Sequence, residues 1–307
     1  MRLFKQTNID FMGKRFLWYG ISIATLVIGL GGLAFKGVTL GIDFLGGTEL
    51  LVRFENPPAI TNVRSAIDKI GFTGTEIKTF GNPYDILIRT PRQAEGTAIA
   101  DQIMTGLTNS FPNNNLIKLK EDKIGPKIGA ELRRNAIYAV IATLIIIMVY
   151  VGFRFKFIYG VAGVIALFHD VLVTLGFVVI FDGLSPHLNL ELSQDLMAAF
   201  LTLIGFSIND TVIVFDRIRE NLKIHRSESL FVIMNKSINE TLSRTVITSG
   251  TVLLVLIVLI IFGGEVNRGF AFTFFIGTIS GTYSSIYVAS AIVLDWSIRK
   301  GKKKSEV

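Results

Sequence analysis

The chain has 307 residues, 31 of them basic and 24 acidic, for a net charge of +7; half are hydrophobic, 18% are charged, and the mean hydropathy is +0.53. Average soluble domains carry about 25% charged residues, so a purely soluble globular protein is disfavoured. No Cys and only three His exclude disulfides, thiol catalysis and Cys-ligated metal centres, and no metal site is expected.

An α-helix needs roughly 17–25 apolar residues to cross a bilayer. Six stretches qualify: 16–35, 136–153, 157–181, 196–215, 245–262 and 269–294. The first follows a basic N-tail, 1–15. Its apolar core exceeds that of a signal peptide, and Leu33-Ala34-Phe35 is a poor cleavage site, so it reads as a retained signal-anchor helix.

Residues 36–135 read as a small α+β domain. Leu50, Val52 and Phe54 alternate as in a half-buried strand. Ile60, Val63, Ile67 and Ile70 recur at helical spacing until Gly71. Strand-like runs follow at 75–80 and 85–90, then a second helix through Ile99, Ile103 and Leu107 and a last strand at 116–120. The order βαββαβ predicts a ferredoxin-like split unit. Residues 37–130 hold ten basic and ten acidic residues, so no basic face for nucleic acid is expected.

Beyond the second and third spans come a short loop at 182–195, the fourth span, and a segment at 216–244. There Leu230, Phe231, Met234, Ile238 and Leu242 recur at helical spacing, predicting an amphipathic interfacial helix. A short loop at 263–268 precedes span six, whose Gly277, Gly281, Ser284, Ser285 and Ala289 form a small-residue face for close helix packing. The tail, 295–307, is basic. Lys and Arg number 17 on one side of the spans (with Arg2, Lys5, Lys14 and Arg15 in the N-tail) and one in the short loops of the other. Both termini are therefore expected in the cytoplasm and 36–135 outside.

Four polar residues stand out in or at the edge of the spans. An ionised side chain in hydrocarbon costs at least about 2.5–3.5 kcal/mol and often marks an ion path. Asp210 lies near the cytoplasmic end of span four among Ser207, Asn209 and Thr211; it can handle protons or hydrogen-bond a neighbouring helix as packing glue. Arg244 opens span five at a similar depth and is either the charge partner of Asp210 or an anchor reaching lipid phosphate. His169-Asp170, in the middle of span three, can extend a proton path or fix helix packing.

Two motifs carry a family resemblance. The run Gly41-Ile42-Asp43-Phe44-Leu45-Gly46-Gly47-Thr48 follows span one, and a seventeen-residue run from Gly205 to Asn221, with Asp210 in it, ends span four. Both resemble the signatures of the SecF family, membrane subunits of the bacterial SecD–SecF protein-export complex in the resistance-nodulation-division superfamily. Gly125-Pro126-Lys127-Ile128-Gly129 and His169-Asp170 look like further shared features. The resemblance implies an α-helical polytopic protein of the bacterial inner membrane, with SecD supplying a second six-helix half. It implies that proton flow, with no other cofactor, assists late preprotein translocation beside the Sec channel, and it assigns the proton-linked acid to Asp210 and a functional Arg to Arg244. Phe206 stands where many relatives carry Tyr. The rival is a proton-driven small-molecule or lipid exporter of the same superfamily, disfavoured by the single small outer domain. No phosphate-binding Gly-x-x-x-x-Gly-Lys-Ser/Thr and no hydrolase motif occurs, so neither nucleotide use nor an enzymatic function is expected.

Overall fold

The computed structural model describes residues 7–91, 98–184 and 188–305, without the side chains of 265, 266 and 301–305. Arg2 and Lys5 of the basic N-tail lie outside the described residues, as do the side chains of Lys302, Lys303 and Lys304.

Six helices are long and apolar enough to cross a membrane. They comprise α1 (Arg15–Lys36), α5 (Pro126–Arg154), α6 (Phe157–Phe181), α7 (Gln194–Ile224), α8 (Leu230–Phe262) and a composite of α9 (Gly264–Ser284), a π-helical segment (Ser285–Ser290) and α10 (Ala291–Ser305). Half or more of the apolar stretch is buried in α6, α7 and the composite helix, against less than a fifth in α1, α5 and α8. The first three are therefore the centre of the bundle. The outer three expose Ile, Val, Leu and Phe, as a lipid-facing surface requires.

The domain between α1 and α5 begins with the short α2 (Ile42–Leu45), then β1 (Gly47–Phe54), α3 (Ile60–Lys69), β2 (Glu76–Phe80), β3 (Asn82–Thr90), α4 (Ala98–Ser110) and β4 (Leu116–Ile124). The sheet order β2-β3-β1-β4, antiparallel throughout, is the expected ferredoxin-like arrangement. Leu50, Val52 and Phe54 join Ile86 and Ile88 in one buried cluster with Val63 and Ile67 of α3 and Ile103 and Leu107 of α4. The alternation read from β1 thus assigns the helix-covered face. On the other face Arg53 grips Asp85 through two hydrogen bonds of 2.6 and 2.7 Å.

The Arg53 guanidinium holds the Asp85 carboxyl below the usual carboxylate range. A lowered folded-state pKa contributes stability above the unfolded value of about 4, and that contribution is lost as the pH falls through the folded value. Asp85→Asn should therefore be less stable than the parent at pH 7, with the gap closing as the pH drops below about 4. Thermal unfolding at several pH values checks this; a gap independent of pH would deny the pair any ionic contribution.

Two expectations need correction. The 216–244 segment is not a separate interfacial helix: α7 continues to Ile224, and α8 starts at Leu230 behind a Ser229 cap and runs unbroken through span five. Its apolar stripe is covered by protein, because Ile218 of α7, Met234 and Ile238 of α8, and Phe11 and Met12 of the N-tail share one buried cluster. Asn221 donates to Ser237 and Glu240 at 3.0 and 2.6 Å, and Arg217 to Glu240 at 2.7 Å, so the polar edge of the hairpin is paired as well. Span six, read as one helix, contains a π turn. The Ser290 hydroxyl bonds the Ser285 carbonyl five residues back at 2.8 Å, matching that wider turn.

Candidate functional site

The two sequence motifs flanking the α+β domain meet at its base. Gly46 and Gly47 have φ of +76° and +134°, a region L-residues rarely adopt. A Cβ on Gly47 would lie 2.5 Å from the Thr90 carbonyl oxygen, and one on Gly46 would lie 2.9 Å from Pro126 Cα. Pro126 occupies the first turn of α5, where its missing N–H is no loss, and Phe44 is buried. Asp43 accepts the Gln194 backbone N–H at 2.8 Å, while Ser193 caps the same helix by accepting from Leu196 at 3.3 Å. Gly41 N–H donates to the Leu192 carbonyl at 2.9 Å. The motif after span one therefore fixes the start of the span-four helix.

Deeper in the bundle, α9 approaches α7 so closely that a Cβ on Gly281 would lie 2.8 Å from Ser207 Cβ. This contact brings hydroxyls from α7 and α9 to the acid of α6. Asp170 Oδ1 accepts from Ser280 at 2.8 Å and meets His169 Nδ1 at 3.1 Å; Oδ2 accepts from Ser207 and Ser284, both at 2.7 Å. With Asp170 accepting throughout, His169 Nε2 accepts a hydrogen bond from the Tyr283 hydroxyl at 2.9 Å, and Ser22 of α1 stands 3.4 Å from that hydroxyl. Asp170 is thus a buried acceptor bonded on both oxygens, tying α6, α7 and α9 together.

Asp210 differs. It is buried, and Oδ2 accepts from Ser249 of α8 at 3.1 Å, whose hydroxyl in turn accepts from Thr282 at 2.9 Å. Oδ1 is buried with no hydrogen-bond partner among the described residues. An unpaired buried acceptor typically costs about 1–3 kcal/mol. Chemically, Oδ1 can take a proton without displacing an existing bond, which neither oxygen of Asp170 can do.

The other expected site residues divide. Thr211 is buried and spends its hydroxyl on the Ser207 carbonyl at 3.2 Å. Asn209, one residue before Asp210 on the helix, turns to the exposed side of α7. Arg244 is exposed and forms no ion pair with Asp210. It lines an open cleft of about 1240 Å³ with Tyr150, Arg154, Val212 and Thr241, at the end of the bundle away from the α+β domain. Phe206 packs edge-on against Phe274, centroids 5.8 Å apart. Sequence reading missed Ser249 and Ser280 as partners of the acids, Thr282 behind Ser249 and Tyr283 behind His169.

A family model described as "Protein export membrane protein SecD/SecF, C-terminal" matches residues 103–299, and the "SecD/SecF GG Motif" matches residues 31–58. The protein translocase subunit SecF of Rhodothermus marinus is 41% identical over 304 residues, covering 99% of this chain and 98% of that protein. The SecF of Escherichia coli O157:H7 is 38% identical, covering 95% and 88%. Among solved structures, SecDF of Thermus thermophilus, described as a translocon-associated membrane protein, superimposes with a TM-score of 0.83 at 36% identity over 95% of this chain. A SecDF in a super-membrane-facing form gives 0.73 at 35% identity over the whole chain. This chain spans 39% and 41% of those two longer chains.

Proposed function

The chain belongs to the SecD/SecF family of protein-export membrane proteins, on its SecF side, and on that footing we propose that it couples proton movement through Asp210 to late preprotein translocation across the bacterial inner membrane. The observation that carries the proton step is the buried, half-satisfied carboxylate at the meeting of α7, α8 and α9. Arg244, at the head of the open cleft, lies five residues before Ser249, about 7.5 Å along α8. A swing of its long side chain toward Asp210 favours the carboxylate, and withdrawal lets the proton return. The basic distribution assigns the cleft to the cytoplasm and the α+β domain to the outer side.

SecD is the proposed partner. Six spans make half of a pseudo-symmetric transporter core, and α7 exposes a stripe of Thr202, Gly205 and Asn209 within its apolar length. A polar stripe facing hydrocarbon is costly and small residues permit close approach, so a partner helix fits it better than lipid. The names of the relatives favour export of polypeptide over export of small molecules.

Vesicles carrying this chain with SecD and the Sec channel test the reading. Completion of a stalled preprotein should quicken when a proton gradient is imposed, and a protonophore should return it to baseline. Equal rates with and without the gradient would overturn the proton coupling.

A further inference from the structure

The loop before α7 carries an alternation that the export reading does not use. Residues 188–192 run Leu-Asn-Leu-Glu-Leu outside any helix, with Leu192 bridged to Leu40. Leu188, Leu190 and Leu192 pack into the bundle cluster with Leu196, Phe200 and Phe274, while Asn189 and Glu191 turn to the open face of the sheet.

That face offers a charged row. Glu49, Arg89 and Glu76 are direct neighbours across β1, β3 and β2. Arg89 bonds Glu49 at 2.6 Å, Glu76 at 3.1 Å and Glu191 at 2.6 Å; Lys78 adds an ion pair to Glu191 and a 3.3 Å hydrogen bond to Asn189. Glu191 is 4% exposed. Burial works against the charge of Arg89, but the carboxylates of Glu191, Glu49 and Glu76 more than offset it and hold the guanidinium above its ordinary range. Removing one partner of a buried pair leaves an uncompensated charge, a large penalty, so the domain and the loop are held together at this point. The loop is two residues from α7, whose first turn is also capped by Asp43.

We propose that the Glu191–Arg89–Lys78 cluster is a mechanical joint that makes the α+β domain and the start of α7 one rigid body, so that displacement of the Asp210 helix is passed to the outer domain. Glu191, Arg89 and Lys78 are positioning residues, far from the proton-handling carboxylate. The use made of the movement rests on the export reading; the joint itself does not.

The chain has no native cysteine, so with a cysteine-free version of the partner subunit spin labels at Lys69→Cys in α3 and Gln194→Cys in α7 report the domain–helix distance. In the full chain purified with its partner subunit, the distribution should be narrow. Glu191→Gln and Lys78→Gln should each broaden it at least about twofold and lower proton-stimulated export at least about fivefold. Glu191→Asp, which keeps the charge, should fall between parent and Glu191→Gln. Lys118→Gln, which breaks an ion pair elsewhere on the sheet, should change neither reading. An unchanged width in both Glu191→Gln and Lys78→Gln would refute the joint, and broadening with undiminished export would refute its role in transmission. If Asp210→Asn exported normally, the proton reading would fail while the label widths still decided the joint.

Discussion

Asp210→Asn is expected to remove the proton-dependent share of preprotein export in reconstituted vesicles, a loss of about a hundredfold or more, as for other groups that transfer protons. Asn fills nearly the same volume and its carbonyl oxygen can still accept from Ser249, the one side-chain hydrogen bond Asp210 makes among the described residues. The substituted side chain cannot ionise, and its amide takes the place of Oδ1, which has no hydrogen-bond partner among the described residues. Assembly with the partner subunit should therefore survive, and the thermal midpoint should move by no more than a few degrees. Export at the parental rate, measured with a proton gradient imposed, would remove Asp210 from the mechanism.

Asp170→Leu should instead act on stability. The carboxylate accepts from Ser207, Ser280, Ser284 and His169, and leucine leaves all four donors without it. A buried donor left unpaired costs about 1–3 kcal/mol. Some of that is recovered locally, since the Ser284 hydroxyl also reaches the Gly281 carbonyl at 3.2 Å. A net loss of about 3–5 kcal/mol follows. Trp18, stacked on Tyr287 with centroids 4.4 Å apart and on Tyr283 at 5.7 Å, gives a fluorescence signal for unfolding in detergent. Asp170→Leu should lower the midpoint by well over the shift of Asp210→Asn. If both acids moved the midpoint equally little while Asp170→Asn stopped export, Asp170 would be a relay member and not a packing hub.

The contrast between the two acids shows what each level of description can decide. Both were visible as charges inside apolar runs, because the cost of burying a carboxylate depends on residue type and on the length of the flanking hydrophobic stretch. The pattern of Leu50, Val52 and Phe54 disclosed the covered face of β1 for a similar reason: strand geometry alone sends alternate side chains to opposite sides. Asn209 and Asp210 face different ways because adjacency in sequence is not adjacency on a helix; 100° of rotation turns Asn209 to the exposed side while Asp210 goes inward. The interfacial helix expected at 230–242 was misread because an apolar stripe looks the same whether lipid or protein covers it. Phe11 and Met12 of the N-tail and the end of α7 cover this one.

By itself, then, the sequence determined the six spans, the βαββαβ domain and the two intramembrane acids, since hydropathy, strand and helix periodicity and charge burial are properties of short stretches. Only the tertiary structure decided that Asp170 is bonded on both oxygens and Asp210 on one, and that Glu191 is buried against Arg89. Those outcomes depend on helix rotation and register between residues as far apart as Asp170 and Ser284, 114 positions along the chain. Hydroxyls are cheap to bury against a carbonyl of their own helix, so Ser249, Ser280 and Ser284 give no local sign that their partner lies on another.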